Sequence, residues 1–240
     1  MPPPSKVVLI TGCSEGGIGF HLAENFASEG CKVYATARKL EKMQALHHSK
    51  IELLPLDVTD DTAVKEVVNT IITKEGKIDI VVNNAGAGCY GPALELPLDQ
   101  IQAAFDTNVF SILRVNRTVL PHMVTRKQGM FITIGSIVAQ YPLPWGGIYA
   151  ATKSAVHAIT NALEMECRPF NIKVLLVAPG GIKSNISANQ SYSPHPDTLY
   201  AKYIDKILAR LNISQSSPMP TEVFAKQVVT KAWHLVRRAT

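Results

Sequence analysis

Short runs of apolar, β-branched residues alternate with longer segments of helical period along most of the chain. Continuous apolar runs of this kind are typical of strands that are covered on both faces. Strands that alternate with helices form a parallel sheet with helices packed on each side. The sequence therefore predicts an α/β protein with three layers. Its predicted strands are residues 7–11, 32–36, 51–57, 78–83, 130–135 and 172–178.

Helical periodicity is found between these strands. The predicted helices are residues 18–28, 39–46, 62–74, 98–125 and 149–168, and, after the sixth strand, 197–211 and 221–237. Ligands of open α/β sheets bind beyond the carboxyl ends of the strands. Because the segment that follows the sixth strand starts with a stretch rich in Ser, Asn and Pro, we predict a substrate loop or lid at residues 181–218. No repeat or linker divides the chain, so residues 1–240 are predicted to be a single domain.

The composition argues against several classes of protein. A hydrophobic content of 46% is too high for a disordered chain. The net charge of +5 comes from Lys and Arg spread along the chain without a basic block, so we predict no nucleic-acid partner. The cysteines and histidines form no metal-binding motif, so we predict no metal. Without a signal peptide or a long apolar run, the chain is expected on the cytoplasmic side of membranes.

A glycine-rich loop, Thr-Gly-Cys-Ser-Glu-Gly-Gly-Ile-Gly, follows the first predicted strand at residues 11–19. Glycine allows a tight turn there and lets backbone amides approach a diphosphate at the start of the next helix. The alternative is a plain turn before a helix. Its position after the first strand of an α/β pattern favours a nucleotide site. The predicted cofactor contacts in this loop are Gly12, Ser14, Gly17, Ile18 and Gly19.

The same loop also matches Gly-x-Ser-x-Gly, the nucleophile elbow of α/β-hydrolases, with Ser14 as the nucleophile. That elbow needs an oxyanion loop from an earlier strand, whereas this loop follows the first one. A hydrolase also needs an acidic residue and then a histidine later in the chain. His195 and His234 meet that requirement only by their position in the sequence. The chain order therefore argues against a hydrolase.

The end of the second predicted strand indicates which dinucleotide is bound. A fold that prefers NAD places an acidic side chain there, on the ribose 2′-hydroxyl. This chain has Arg38 instead, a planar cation suited to a 2′-phosphate. A solvated basic helix start is the alternative, but the absence of an acid favours NADPH/NADP+ as the cofactor.

A candidate catalytic trio consists of Ser136, Tyr149 and Lys153. The tyrosine and the lysine are four residues apart, on one face of a predicted helix. A phenol has a pKa of about 10, and a neighbouring cation stabilises its phenolate. Ser136 follows the fifth strand, so its hydroxyl shares the strand-end crevice with the phenol. Two hydroxyls on a ketone oxygen would stabilise the charge that develops during hydride delivery.

Further polar and glycine residues follow the ends of other strands. They are Asp57, the Asn-Asn-Ala-Gly sequence at 83–86, and the pair Pro179 and Gly180, while Asn108 lies inside the predicted helix 98–125. In this order, and with the glycine loop and the catalytic trio, the chain resembles the short-chain dehydrogenase/reductase family over residues 5–236. The resemblance implies a Rossmann-type doubly wound sheet. It also implies an oxidoreductase that interconverts a ketone and a secondary alcohol with a nicotinamide cofactor.

The resemblance implies roles for individual residues. Tyr149 is expected to donate the proton and Ser136 to orient the carbonyl. Lys153 is expected to hold the nicotinamide ribose and lower the pKa of the tyrosine, and Asn108 to anchor a proton-relay water. The expected cofactor contacts outside the loop are Arg38, Asp57, Val58, Asn84, Ala85, Gly86, Tyr149, Lys153, Pro179, Gly180, Ile182 and Ser184. The glycine loop is one residue longer than the usual family pattern, and Ser184 stands where threonine is common.

Within the family, residues 33–40, 145–157, 166–174, 218–220 and 224–229 resemble fungal NADPH-dependent 1-acyldihydroxyacetone-phosphate reductases. This implies reduction of an acyl or alkyl dihydroxyacetone phosphate in glycerolipid synthesis, at the endoplasmic reticulum or lipid droplets. A reductase or dehydrogenase of another lipophilic or secondary-metabolite ketone, such as a steroid, retinoid or polyketide, stays open. So does a catalytically idle NADP-binding regulator.

The resemblance also bears on assembly and length. It implies a homo-oligomer formed through the predicted helices 98–125 and 149–168, and one more strand after the last helix. Because this sequence stops just after that helix, we expect the natural chain to be longer, with the last strand and any C-terminal membrane segment absent here.

Overall fold

The sheet of the computed structural model, which describes residues 5–186 and 192–237, has six parallel strands. They are β1 (Val7–Thr11), β2 (Lys32–Ala37), β3 (Ile51–Pro55), β4 (Ile80–Asn83), β5 (Gly129–Ile134) and β6 (Ile172–Val177). Their order is β3-β2-β1-β4-β5-β6. The chain moves outward in one direction from β1 and then in the other from β4. The carboxyl ends of β1 and β4 therefore border the crevice where such sheets bind ligands.

Helices cover both faces of the sheet. They are α1 (Ile18–Ser28), α2 (Asp61–Glu75), α3 (Leu98–Phe105), α4 (Ser111–Arg126), α5 (Gly147–Cys167), α6 (Ile204–Leu211) and α7 (Thr221–Arg237). Successive strand residues point to opposite faces, so Ile10 packs in the core beneath α1 and α7 while Leu9 packs in the core beneath α2 and α4. The predicted three-layer α/β class and the doubly wound parallel sheet are confirmed.

Three helix predictions are wrong in detail. Residues 39–46 form only a 3-10 turn at Leu40–Met43, because a segment this short that buries little more than Met43 and Leu46 does not sustain an α-helix. Residues 98–125 do not form one regular helix, since a π-helical turn at Asp106–Phe110 separates α3 from α4. In the 197–211 segment the α-helix begins only at Ile204, because Glu95 binds Leu199 N–H and the Thr198 hydroxyl in a preceding turn.

The 181–218 segment, predicted to form a lid, lies along the carboxyl edge of the sheet. Its residues 187–191 lie outside the described residues. Met219 N–H donates to Gly181 O over 2.9 Å, and Lys183 N–H donates to Met219 O over 3.0 Å, so both ends of the segment are tied together. Within the described ranges, no helix is long and apolar enough to cross a membrane.

Candidate active site

The glycine loop is built from positions that exclude side chains. Gly12 and Gly16 have φ of +74° and +73°, which favours glycine. A Cβ on Gly19 would lie 2.5 Å from Gly12 O, a distance too short for non-bonded atoms. The loop therefore folds back tightly on the first turn of α1, as a loop that brings backbone amides to a diphosphate must do.

The start of α1 offers free backbone donors to an anion. Gly17 is the N-cap residue, and no side chain caps the helix there. The first N–H groups of a helix lack intrahelical partners and carry its positive dipole end. Ser14, which accepts a hydrogen bond from Gly17 N–H over 3.0 Å, and Ile18 flank this helix start. The residues present fit a dinucleotide diphosphate.

Asn84 supports the loop from the neighbouring strand. Its side-chain Nδ2 donates to Thr11 O over 2.8 Å and to Gly12 O over 2.9 Å. The Thr11 hydroxyl in turn accepts hydrogen bonds from the backbone N–H groups of Asn84 and Ala85. The side-chain and backbone N–H groups of Asn84 are thus engaged by the loop, and its Oδ1 and backbone carbonyl are what it offers to a cofactor.

At the end of β2, Arg38 is exposed beside the edge of the crevice. Asp57 faces it from the end of β3, with its Oδ1 accepting from Thr59 N–H over 2.9 Å and from the Thr59 hydroxyl over 2.7 Å. Burial raises the pKa of Asp57, but the Thr59 hydrogen bonds and the Arg38 charge outweigh it and hold the pKa below its usual range. The site thus pairs a fixed carboxylate with an exposed cation. Val58, the next residue along the chain, is buried.

The predicted catalytic trio lies together at the carboxyl end of β5. Ser136 and Tyr149 are each only 8% exposed, and the Ser136 hydroxyl is close enough to hydrogen-bond the phenol. Lys153, 6% exposed, has its Nζ 5.8 Å from the centroid of the Tyr149 ring. The backbone places the serine firmly, because its Oγ accepts from Val138 N–H over 3.3 Å.

Burial dominates the electrostatics of the trio. Burial raises the pKa of Tyr149 above its usual range, and this outweighs the lowering by the Ser136 hydrogen bond and the Arg210 charge. Burial also lowers the pKa of Lys153 to about 8, with its Nζ donating to Ile134 O over 2.9 Å. The phenol of Tyr149 therefore keeps its proton at neutral pH, and a lowering of its pKa by Lys153 stays a prediction.

Asn108 lies in the π-helical turn and is 1% exposed. Its Nδ2 donates to Ala87 O over 2.8 Å and to the Thr152 hydroxyl over 3.0 Å, and its Oδ1 accepts from Ala87 N–H over 2.7 Å. The side chain thus ties the loop after β4 to α5, and a Cβ on Gly86 would lie 3.3 Å from its Oδ1. Because both Nδ2 protons are engaged, this side chain has no donor left for a relay water, and its Oδ1 keeps one lone pair free of the described contacts.

The segment after β6 closes the far side of the crevice. Pro179 O accepts from Ile137 N–H, which links this segment to the Ser136 turn. The Gln215 side chain binds both Ile182 O and Ser184 N–H. Gly180 lies between Pro179 and Ile182, with open space where its Cβ would be.

The predicted site residues do not include four residues that lie at this site. His157 accepts from Ser136 N–H over 3.3 Å, and Asn185 Nδ2 donates to Glu15 O over 2.7 Å across the glycine loop. The Tyr90 ring lies 5.4 Å from that of Tyr149, and Arg210 lies over Tyr90. The nearest signal was the position of Cys89 and Tyr90 after β4; nothing local marks the other three.

The comparisons with known proteins agree with this geometry. The family model described as short chain dehydrogenase matches residues 6–194. The chain belongs to the short-chain dehydrogenase family. It is thus an oxidoreductase, and the sequence-based family assignment is confirmed. Across the described residues, no cluster of three or more His, Cys, Asp or Glu side chains is placed to hold a metal ion.

Two relatives and one solved structure illustrate the similarity. An NADPH-dependent 1-acyldihydroxyacetone phosphate reductase of Schizosaccharomyces pombe is 38% identical over 76% of this chain, and the chain covers 62% of that relative's length. A 3-ketodihydrosphingosine reductase of Bacteroides thetaiotaomicron is 36% identical over 78% of this chain and 68% of its own. The solved structure of ElxO with NADP bound is 29% identical, with a TM-score of 0.77 over 97% of this chain and 92% of its own.

Proposed function

We propose that the protein is an NADPH-dependent reductase that converts the ketone of 1-acyl (or alkyl) dihydroxyacetone phosphate into a secondary alcohol. The main support for the reductase activity is that Ser136, Tyr149 and Lys153 are buried together at the carboxyl edge of the sheet. The substrate is supported by the similarity to the Schizosaccharomyces pombe reductase and by an apolar groove lined in part by Trp145 and Arg210.

The cofactor of the proposed reaction is NADPH, which supplies a hydride to the carbonyl carbon when bound. The glycine loop and the uncapped start of α1 would hold its diphosphate, and Arg38 its 2′-phosphate. Asp57 and Val58, after β3, and Ala85 and Gly86, after β4, are further proposed contacts on either side of these two points. Lys153, Pro179, Gly180, Ile182 and Ser184 are the proposed contacts on the opposite side of the crevice.

Tyr149 is the proposed proton donor. Its raised pKa keeps the phenol protonated at neutral pH, which is the form that reduction of a ketone requires. The hydroxyls of Ser136 and Tyr149 would both donate to the ketone oxygen and stabilise the negative charge that develops there. The buried ammonium group of Lys153 is itself a proton donor. Its pKa of about 8 lets it release and regain a proton near neutrality. Asn108 positions the loop after β4 against α5.

The identity of the ketone distinguishes this proposal from its alternatives. The similarity to a 3-ketodihydrosphingosine reductase favours a second candidate, a lipid ketone that carries an ammonium instead of a phosphate. The remaining alternatives are a reductase of a steroid, retinoid or polyketide ketone, and a catalytically idle NADP-binding regulator. For the proposed lipid substrate, we further propose that the enzyme works at an endoplasmic reticulum or lipid-droplet surface as a single-domain subunit of a homo-oligomer built on α4 and α5.

The test is a ketone panel assayed by NADPH consumption and by mass spectrometry of the product. The panel contains 1-palmitoyl dihydroxyacetone phosphate, 3-ketodihydrosphingosine and a steroid ketone, each with NADPH and with NADH. We expect the highest kcat/KM for the phosphorylated ketone with NADPH. Tight NADPH binding without turnover of any ketone would favour the idle regulator, and preference for another ketone would reassign the substrate.

A further inference from the structure

Arg210, on α6, carries a charge that no other described residue neutralises. Its Nε is buried without a hydrogen-bond partner among the described residues. None of the ion pairs within 4.0 Å among the described residues includes Arg210. A partly buried guanidinium without a carboxylate is costly, because charges removed from water need a partner. The position indicates that a partner arrives from outside the chain.

The guanidinium lies next to the catalytic trio, with the Tyr90 ring between it and Tyr149. Its Cζ is 5.4 Å from the centroid of the Tyr90 ring, which itself lies 5.4 Å from the Tyr149 ring. Its charge reaches the phenol, since it lowers the pKa of Tyr149 against the larger effect of burial. Nη2 lies 3.2 Å from where a Cβ on Gly146 would be, next to the start of α5. Arg210 is therefore positioned next to the active site by its contact with the face of the Tyr90 ring.

A groove of about 790 Å³ leads away from Arg210. Its apolar wall consists of Leu143, Pro144, Trp145, Ala209 and Ile213. The charged side chains that line it, Lys206 and Arg210, are both cationic, and its lining contains no carboxylate. This volume is within the range of about 300–1,000 Å³ found for small-molecule sites. The groove combines an apolar surface for a hydrocarbon chain with two cationic side chains, of which Arg210 also lies over Tyr90.

We propose that Arg210 binds the phosphate monoester of the substrate while the groove holds its hydrocarbon chain. This inference rests on the proposed function and names the residue that selects a phosphorylated ketone. In such a substrate the phosphate-bearing carbon is bonded directly to the carbonyl carbon, so the anion must lie within a few bonds of Tyr149. The planar guanidinium fork matches phosphate oxygens in two parallel hydrogen bonds. The same charge disfavours an ammonium-bearing ketone.

The first experiment compares matched ketones with and without the phosphate. The two substrates are 1-palmitoyl dihydroxyacetone phosphate and 1-palmitoyl dihydroxyacetone, assayed with NADPH on the wild type, Arg210→Met and Arg210→Lys. We expect Arg210→Met to lower kcat/KM for the phosphorylated ketone about 10-fold to 100-fold, and for the other by less than about threefold. Arg210→Lys should fall between, because lysine keeps the charge without the fork. Lys202→Met, an exposed change on the same segment, is the control and should change neither value.

A second experiment does not depend on turnover. Calorimetry measures the binding of dodecyl phosphate and of dodecanol to the NADP+-loaded protein. We expect the wild type to bind the phosphate at least about tenfold more tightly, and Arg210→Met to lose that preference. Equal losses on both ketones, or an unchanged phosphate preference in Arg210→Met, would overturn the assignment of Arg210. Failure of the wild type to reduce either ketone would instead refute the proposed function, and the binding experiment would still decide the role of Arg210.

Discussion

The backbone N–H of Ser136 donates to Nε2 of His157 over 3.3 Å, which places a histidine from α5 directly behind the proposed carbonyl-orienting serine. A Cβ on Gly135 would lie 2.4 Å from the same Nε2, so the glycine is needed for this approach. Burial, and then the Lys153 charge, lower the pKa of His157. The ring therefore stays neutral at physiological pH and keeps an acceptor for the serine amide.

Removing that acceptor should misplace Ser136. We expect His157→Phe to lower kcat about tenfold, because a buried N–H left without a partner costs on the order of 1–3 kcal/mol and the turn will shift to satisfy it. The affinity for NADPH should stay within about threefold. Steady-state kinetics together with NADPH titration measure both effects. His234→Phe, at an exposed position of α7, is the control, and equal kcat values for the two variants would refute the positioning role of His157.

The glycine loop should not tolerate even a methyl group at its tightest point. Gly19→Ala places a Cβ 2.5 Å from Gly12 O, so the loop must open and its amides must move. We expect NADPH affinity to fall more than about tenfold, since the diphosphate contacts depend on that geometry. Fluorescence titration with NADPH is the measurement. Gly147→Ala, where nothing lies within 4 Å of the new Cβ, is the control and should bind normally. Normal binding by Gly19→Ala would contradict the loop assignment.

Arg38 should set the preference for the phosphorylated dinucleotide. Arg38→Leu is expected to weaken NADPH binding about 10-fold to 100-fold and to leave NADH binding within about threefold, because only NADPH carries the 2′-phosphate. The measurement is the ratio of the two dissociation constants. An exposed arginine elsewhere, Arg168, gives the matched change to leucine as a control. A parallel loss for both dinucleotides would show that Arg38 acts on the loop and not on the phosphate.

The buried lysine should leave a signature in the pH dependence of stability. Burial lowers the pKa of Lys153 from 10.5 to about 8, so the unfolded state binds more protons between these two values. The folded state therefore gains stability as the pH rises from about 8 to 10.5, relative to a variant without the lysine. Urea unfolding of the wild type and Lys153→Met, each at a series of pH values, measures this difference. A difference in unfolding free energy that stays constant across that range would contradict a depressed pKa.

Much of the fold followed from local pattern. The strands were predictable because each is a continuous apolar run, and their ends were predictable to within about two residues because polar residues such as Asp57 and Ser136 follow closely. Tyr149 and Lys153 were predictable as neighbours because helix geometry fixes a four-residue spacing. The π-helical turn at Asn108 was not, since its cause is a set of hydrogen bonds to Ala87 and Thr152, far along the chain.

The residues that sequence reasoning missed act across long separations. Asn185 reaches Glu15, 170 residues away, and Arg210 reaches Tyr90 through the fold of the segment after β6. Neither has a neighbouring residue whose type or spacing points to its contact. The direction of the Tyr149 pKa was also unpredictable, because burial, which decides it, depends on what packs over the phenol. The burial of a side chain and its contacts with residues far along the chain depend on the tertiary structure, which the local sequence pattern does not show.

The central claim is that Tyr149 donates the proton in an NADPH-dependent ketone reduction. Its most direct test is NADPH consumption with 1-palmitoyl dihydroxyacetone phosphate by the wild type and by Tyr149→Phe, with NADPH affinity measured in parallel. We predict turnover by the wild type, a loss of about 10²-fold to 10⁴-fold in kcat for the variant, and NADPH dissociation constants within about threefold of each other. Turnover by Tyr149→Phe at the wild-type rate would contradict the account.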